Sequence, residues 1–231
     1  MKDVDKKNYV ERYEGRLKEF GYDPQTLGWG KVARQDIRFA VLAQEALKNE
    51  TSSVLDIGCG FADLYDFLLI NGWKGKYTGV DIVPGLVNAA KKRHPSIQLL
   101  IADINDQECG IETHDYVISS GMLNATLPSG ENEAHIQKML HSMFALAKTA
   151  VSVDFLSALV DFKKEGAWHT DPAKALNYGF ALTKNVSVRH DYLRFEFALF
   201  LNKNNAVSQR KVFETFEEKL RLVNSDNSKT E

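Results

Sequence analysis

The sequence predicts an α/β protein in which helices cover both faces of a doubly wound, mostly parallel sheet. From residue 53 onward, short apolar segments alternate with amphipathic segments of helical period, and this alternation is typical of a parallel sheet. Near the end, VSVRHDY and FEFALFL follow each other almost directly, which predicts a β-hairpin. We therefore expect seven strands, with one antiparallel strand contributed by the hairpin.

The individual elements follow from the spacing of the apolar residues. Helical spacing predicts helices at 5–20, 31–49, 62–71, 84–93 and 132–148. Apolar segments predict strands at 53–57, 76–81, 97–103, 115–121 and 150–156, followed by the hairpin. Asp171 before Pro172 is a capping residue followed by proline, which indicates another helix start. In the second helix, we expect an inner face of Ile37, Ala40, Val41 and Leu47.

Residues 1–202 are expected to form one domain, in which the N-terminal helices of 1–49 cap the site. Beyond it, Val212, Phe216 and Leu220 recur at helical spacing, which predicts a helical extension within 203–231. Its end, NSDNSKTE, has no apolar side chain and is expected to be disordered.

Composition excludes several classes of function. The 231 residues carry a formal net charge of −2, and no long basic block indicates binding to nucleic acid. The N-terminus is polar and lacks the pattern of a signal peptide, and the apolar segments are too short to span a bilayer. Cys59 and Cys109 form neither a metal-binding spacing nor a disulfide framework. These features predict a cytoplasmic protein without a metal, and they leave its oligomeric state open.

The segment VLDIGCGFAD, residues 54–63, carries the clearest functional signal. The loop after the first strand of such a sheet lies where ligands bind, and Gly58 and Gly60 would let the backbone approach a ligand closely. A dinucleotide fingerprint has a third glycine where this chain has Asp63, whose carboxylate would repel a pyrophosphate. The ligand is therefore expected to lack a polyphosphate and to carry positive charge, bracketed by Asp56 and Asp63. Cys59 is expected to be a small packing residue within this site.

Two alternatives remain open for the acidic residues of this loop. Asp56 could organise the loop by accepting hydrogen bonds from backbone N–H groups instead of contacting the ligand. Asp63 could be an acid in the first turn of a helix, where it complements the helix dipole.

The loop resembles the cofactor-binding motif D-x-G-x-G-x-[GA] of class I S-adenosylmethionine-dependent methyltransferases, which have a Rossmann-like fold. YTGVDI, IADI and DYVISSG follow in the order found in that family, and the resemblance covers about residues 30–202. It implies S-adenosylmethionine as the cofactor. Asp81 and Ile82 would then contact the ribose, and Asp103 and Ile104 the adenine. Ser120, after the fourth strand, would face the methyl donor.

Candidates for substrate contact and catalysis lie in segments predicted to meet at the carboxyl edge of the sheet. His190 or Asp154 could act as a general base if the acceptor arrives protonated. The residues expected to contact the substrate are Trp29, Asn124, Asp191 and Tyr192. Each has a structural alternative, since Asn124 could close a turn, the residues from 190 to 192 could shape the hairpin, and Trp29 could be a hydrophobic plug. His169 is expected in a lid region or an exposed loop.

We expect methyl transfer by in-line displacement to a small-molecule or glycan-type acceptor, through oxygen or nitrogen. The segment SSGMLNATLP follows the fourth strand, where many methyltransferases of planar amide or base nitrogens carry [DN]-P-P-[YFW]. An RNA methyltransferase and a cofactor-binding scaffold without activity remain as alternatives. A nicotinamide-dependent oxidoreductase is the third, although Asp63 disfavours it.

Overall fold

The structure, a computed structural model, describes residues 1–28, 32–106 and 110–204. The predicted helix around Val212 and Leu220 lies outside these ranges. Within the described ranges, no helix is long and apolar enough to cross a bilayer.

Seven strands form one sheet in the order β3-β2-β1-β4-β5-β7-β6. The strands are β1 Val54–Ile57, β2 Tyr77–Asp81, β3 Gln98–Ile101, β4 His114–Ser119, β5 Ala147–Leu156, β6 Asn185–Arg189 and β7 Glu196–Asn202. Neighbours are parallel from β3 to β5, whereas β7 is antiparallel to both β5 and β6. This confirms the predicted doubly wound fold with one antiparallel strand.

The helices are α1 Asp3–Phe20, α2 Val32–Leu42, α3 Gln44–Leu47, α4 Asp63–Ile70, α5 Pro84–Arg93, α6 Asn132–Leu146 and α7 Pro172–Phe180. The Asp171 side chain accepts a hydrogen bond from the Ala173 N–H, which confirms the predicted cap. The expected helix at 31–49 is divided into α2 and α3.

The predicted inner face of the second helix is wrong at two of its four residues: Val41 is buried and Leu47 packs against the core, but Ile37 and Ala40 are not buried. Ile37 is 40% exposed and Ala40 is exposed, whereas Gln35, Arg38 and Phe39 are buried. The inward face therefore carries polar residues at i and i+3, which sequence patterns assign to solvent. Arg38 tolerates burial because it is paired with an acid across the fold.

The core lies on both faces of the sheet because neighbouring side chains of a strand point to opposite sides. Val54 packs into a cluster with Leu64, Leu68 and Trp73. Leu55, the next residue along β1, packs into a second cluster with Leu140 and others from α6. All four residues of β1 are buried, so the loop that follows starts from a fixed position.

The β6 strand runs parallel to β5, as predicted, and its carboxyl end lies at the same edge as the ends of β1, β2 and β4. It is shorter than predicted, because it ends at Arg189 and residues 190–195 connect it to β7. His190, Asp191 and Tyr192 therefore lie in this connection and not in a strand. Because these residues lie outside the strand, their side chains need not point alternately to the two faces of the sheet.

Candidate active site

The glycine loop after β1 has a backbone that favours small residues. Gly58 and Gly60 have φ angles of 74° and 55°, a region that L side chains rarely adopt. The N–H groups of Gly58 and Cys59 donate to the Val80 carbonyl oxygen at 2.8 and 3.1 Å, so the loop is anchored to β2. A Cβ atom on Gly58 would lie 2.9 Å from the Met122 Cβ. The left-handed backbone and the close contact with Met122 therefore require small residues in this loop even without a ligand.

A cavity that is open to solvent lies at the carboxyl edge beside this loop. Every residue predicted to contact the cofactor lines it, from Asp56 in β1 to Ser120 after β4. The opposite wall comes from the N-terminal segment, with Tyr9 and Tyr13 of α1, Leu27, and Gln35 and Phe39 of α2. The sequence prediction therefore selected residues that share one cavity, and it missed the residues of the opposite wall.

Asp81 ends β2 with its carboxylate fixed by two backbone groups. Its Oδ2 accepts from the Gly60 N–H at 3.0 Å and its Oδ1 from the Val83 N–H at 2.9 Å. Burial raises the pKa of Asp81, although these backbone bonds oppose the shift. A carboxylate oxygen can accept more than one hydrogen bond, so both oxygens keep capacity for a ligand.

Asp103 lies after β3 on the same cavity wall. Its Oδ1 accepts from the backbone N–H and the side-chain amide of Asn105, both at 3.0 Å. Its Oδ2 lies 3.4 Å from the amino group of Met1. Burial favours a higher pKa for Asp103, but these donors outweigh it and leave the pKa below its usual value. Asp103 is therefore a charged group in the cavity wall.

Asp56 is the acid of this wall whose charge has the least compensation. Its Oδ2 accepts from the Tyr77 hydroxyl at 2.6 Å. Burial is the main cause that raises its pKa to about 7, and the negative charges of Asp81 and Asp63 add to the effect. A nearby cation would stabilise the ionised form of Asp56. This favours a positively charged ligand over an anionic one.

Asp63, at the start of α4, has several partners. Its Oδ1 accepts from the Tyr22 hydroxyl and from Arg93, each at 2.8 Å, and its Oδ2 accepts from Gln35 at 3.3 Å. The Arg93 guanidinium also lies over the Tyr22 ring, 4.1 Å from its centroid. Asp63 thus connects the N-terminal segment to the core, and its charge is compensated by Arg93.

Cys59 is 6% exposed. A Cβ atom on Gly79 would lie 2.9 Å from the Cys59 Sγ, so the thiol fills the space above β2. Burial raises the pKa of Cys59 well above its usual value, which keeps the thiol protonated. This agrees with a packing role.

Asp154 lies at the end of β5, behind the cavity wall, and is 1% exposed. Its Oδ2 accepts from the Ser120 hydroxyl at 2.7 Å and its Oδ1 from the Gly121 N–H at 2.6 Å. Behind it, Arg38 donates two hydrogen bonds of 2.5 Å to the Glu196 carboxylate. Sequence reasoning missed Arg38 and Glu196, although a single acid within the apolar segment FEFALFL was a usable signal.

The described substrate candidates, Asn124, His190, Asp191 and Tyr192, are not among the residues that line the cavity. The Asn124 side-chain oxygen accepts from the Leu156 N–H at 2.8 Å, so it joins the loop after β4 to β5. The His190 Nε2 lies 2.9 Å from the Ser157 Oγ, and Asp191 is exposed and paired with Arg189 at 2.7 Å.

Tyr192 is half-buried, and its hydroxyl is buried without a hydrogen-bond partner among the described residues. The His169 Nδ1 contacts the Ser157 carbonyl oxygen at 2.9 Å. Trp29 lies outside the described ranges. The catalytic and substrate-binding roles expected for these residues stay predictions.

The strand order, the antiparallel β7 and the acid-lined cavity at the carboxyl edge define a class I methyltransferase. Residues 54–160 match the family described as "Methyltransferase domain". A Mycobacterium tuberculosis protein named "Putative methyltransferase Rv1506c" is 31% identical over 159 residues, which is 65% of this chain and 93% of that protein. The chain belongs to this family and is an S-adenosylmethionine-dependent methyltransferase.

Solved structures with low sequence identity share the fold. Magnesium protoporphyrin IX methyltransferase (ChlM) from Synechocystis PCC 6803 with bound SAH has a TM-score of 0.61 and 16% identity, over 87% of this chain and 100% of that chain. A DhpI-SAH complex has a TM-score of 0.61 and 14% identity, over 87% of this chain and 97% of that chain.

Proposed function

We propose that this enzyme transfers the methyl group to a small-molecule acceptor, free or of glycan type, held in the cavity beside β4. The observation that carries the proposal is the position of the cavity between the sheet edge and the N-terminal segment. Gln35 and Phe39 of α2 line it together with Ser120. A polymer needs an open groove, whereas a cavity with two walls suits a compact acceptor. The net charge of −2 further disfavours RNA, whose binding depends on basic residues.

The chain's own residues supply a fitting site for S-adenosylmethionine. Asp81 has acceptor capacity for the ribose hydroxyls, and Asp103 is a fixed acceptor for the adenine amino group, with Ile82 and Ile104 as apolar neighbours. When bound, this cofactor supplies an activated methyl group on a sulfonium.

The positive methionine end of the cofactor is proposed to lie near Asp56, whose charge is the least compensated. Asp63 is assigned a different part. Because its carboxylate already binds Arg93 and Tyr22, we propose that it holds the N-terminal cap over the site. This role differs both from cofactor contact and from the helix-dipole role that the sequence left open for Asp63.

The protein then contributes mainly proximity and alignment, because the methyl donor is already activated. The cavity walls are proposed to hold the acceptor on the side of Ser120. A general base is needed only when the acceptor carries a proton that must leave.

The experiment combines binding with the fate of a labelled methyl group. Calorimetry should show binding of S-adenosylhomocysteine and none of NAD. The enzyme is then incubated with carbon-13-methyl S-adenosylmethionine and separate fractions of a bacterial extract: small molecules, RNA and protein. Label is expected in the small-molecule fraction. Label in RNA would favour the RNA alternative, and binding without transfer to any fraction would favour the scaffold.

A further inference from the structure

A hydroxyl group in the cavity wall is connected to a buried carboxylate. Ser120 lines the cavity, and its Oγ donates to the Asp154 Oδ2 at 2.7 Å. The Gly121 N–H holds the second carboxylate oxygen at 2.6 Å. Asp154 itself does not line the cavity. A molecule in the cavity would therefore reach Asp154 through the Ser120 hydroxyl.

Charged and polar groups from three other elements surround Asp154. From α2, the Arg38 Nε lies 4.0 Å from the Asp154 Oδ2, and from β7, Glu196 binds Arg38 through both carboxylate oxygens. Tyr192 approaches from the connection between β6 and β7, and its charge interactions involve Asp154, Glu196 and Arg38. Burying three charged groups is expensive unless each is paired. Here Arg38 and Glu196 compensate each other, and the Asp154 carboxylate is held by Ser120 and Gly121 beside the cavity.

We propose that Ser120 and Asp154 accept the proton of the methyl acceptor, and that this acceptor is a small molecule with an alcohol or phenol group. The inference rests on the proposed function and names its substrate class. Arg38 and Glu196 are positioning residues that set the charge around Asp154.

The acceptor oxygen uses a lone pair to form the new O–CH3 bond, and the electron pair of the broken S–CH3 bond passes to sulfur. The acceptor proton moves to the Ser120 Oγ while the Ser120 proton moves to the Asp154 Oδ2. Asp154 ends protonated and returns its proton to solvent after the product leaves.

Asp154 suits the role of the base better than the nearby Tyr192 and His190. Burial raises the pKa of Asp154 to about 6, with Arg38 opposing and Glu196 adding to the shift. A base with a pKa near the working pH is the most effective. Burial and the nearby acids raise the pKa of Tyr192 well above its usual value, so its hydroxyl is not a base. His190 contacts Ser157 and does not line the cavity.

The first measurement identifies the atom that receives the methyl group. The labelled small-molecule products are analysed by carbon-13 NMR, in which O-methyl and N-methyl groups have different shifts. Matched pairs, benzyl alcohol with benzylamine and catechol with 1,2-diaminobenzene, are tested beside the extract. O-methyl products support the inference. N-methyl products alone would overturn it and leave the proposed function standing, whereas no binding of S-adenosylhomocysteine would contradict the proposed function itself.

The second measurement uses a matched pair of serines. Ser120→Ala removes the hydroxyl of the proposed pair, and Ser119→Ala removes a buried hydroxyl that has no hydrogen-bond partner among the described residues. We expect kcat for O-methylation to fall about 100- to 10,000-fold in Ser120→Ala, the range of general-base catalysis. Ser119→Ala should retain activity, and both variants should bind S-adenosylhomocysteine alike. A selective loss of that affinity in Ser120→Ala, with kcat retained, would overturn the proposal.

The third measurement follows the ionisation of Asp154. With carbon-13 in the Asp carboxyl groups and Asp154→Asn for assignment, NMR of the S-adenosylhomocysteine complex reports its titration directly. Glu196→Gln keeps an acceptor for Arg38 but removes a negative charge, so the Asp154 titration and the acid limb of kcat/KM should both move to lower pH. Glu50→Gln, which alters an exposed pair with Lys74, is the control. If the acid limb of the kcat/KM profile does not move with the Asp154 titration, the proposed role of the Ser120–Asp154 pair is refuted.

Discussion

Gly58 has both a left-handed backbone and a close neighbour, and a comparison with Gly130 separates the effects of these two features on stability. Gly58 and Gly130 have the same φ of 74°, but they differ in their surroundings. A Cβ on Gly58 would lie 2.9 Å from the Met122 Cβ, whereas a Cβ on Gly130 would meet nothing within 4 Å. Comparing Gly58→Ala with Gly130→Ala therefore isolates the effect of the close contact.

The expected losses of unfolding free energy follow from this difference. An alanine in the left-handed region costs about 1–2 kcal/mol, and this is the whole effect expected for Gly130→Ala. Gly58→Ala adds the cost of overpacking, typically about 1–3 kcal/mol. Its total loss should therefore be about 2–5 kcal/mol.

Urea unfolding followed by circular dichroism measures both losses, and calorimetry with S-adenosylhomocysteine measures ligand affinity. We expect Gly58→Ala to lose affinity as well, because Met122 and the loop would have to move beside the cavity. Gly130→Ala should bind as the parent does. Equal losses of stability in the two variants would refute the argument from close packing.

Three further outcomes are expected. Asp81→Asn should weaken S-adenosylhomocysteine binding about 10- to 100-fold in calorimetry, since it removes a charge-assisted hydrogen bond of about 1.5–3 kcal/mol; unchanged affinity would contradict the ribose assignment. Because burial raises the pKa of Asp56 to about 7, the folded state binds a proton that the unfolded chain loses near pH 4. The free energy of unfolding should therefore fall as pH rises from about 4 to about 7, and urea titrations should find a smaller fall in Asp56→Asn. Finally, Ile37→Lys should change stability by less than about 0.5 kcal/mol, whereas Phe39→Ala should cost about 3–5 kcal/mol; the reverse order would contradict the observed face of α2.

The sequence predicted those parts of the site that follow from local chemistry. Asp81 ends β2 and Asp103 follows β3, and both strands are recognisable from their apolar residues, so the position of both acids at one edge follows from the parallel sheet. The glycine loop was equally local, because its residue types and spacing lie within one short segment. These residues could be assigned to a common cavity without knowledge of distant contacts.

Contacts between distant segments could not be predicted in the same way. Arg38 and Glu196 are 158 residues apart in sequence, and neither residue alone indicates which partner it binds. Burial of either charge without the other would be unfavourable, because each residue of the pair compensates the charge of its partner. For the same reason Ile37 and Ala40 were assigned to the inner face of the helix, because Gln35 and Arg38 face inward only when their partners are present.

The acids of the cavity differ in how well their negative charges are compensated. Asp63 is compensated by Arg93, Asp81 by two backbone N–H groups, and Asp103 by the donors around it, whereas Asp56 has one phenol hydroxyl. Burial of Asp56 therefore lowers stability at neutral pH, where its ionised form is favoured in the unfolded chain. The ammonium and sulfonium of the proposed cofactor would supply the missing positive charge. Asp56, which destabilises the free protein, would then favour binding of the cationic cofactor over binding of an anionic dinucleotide.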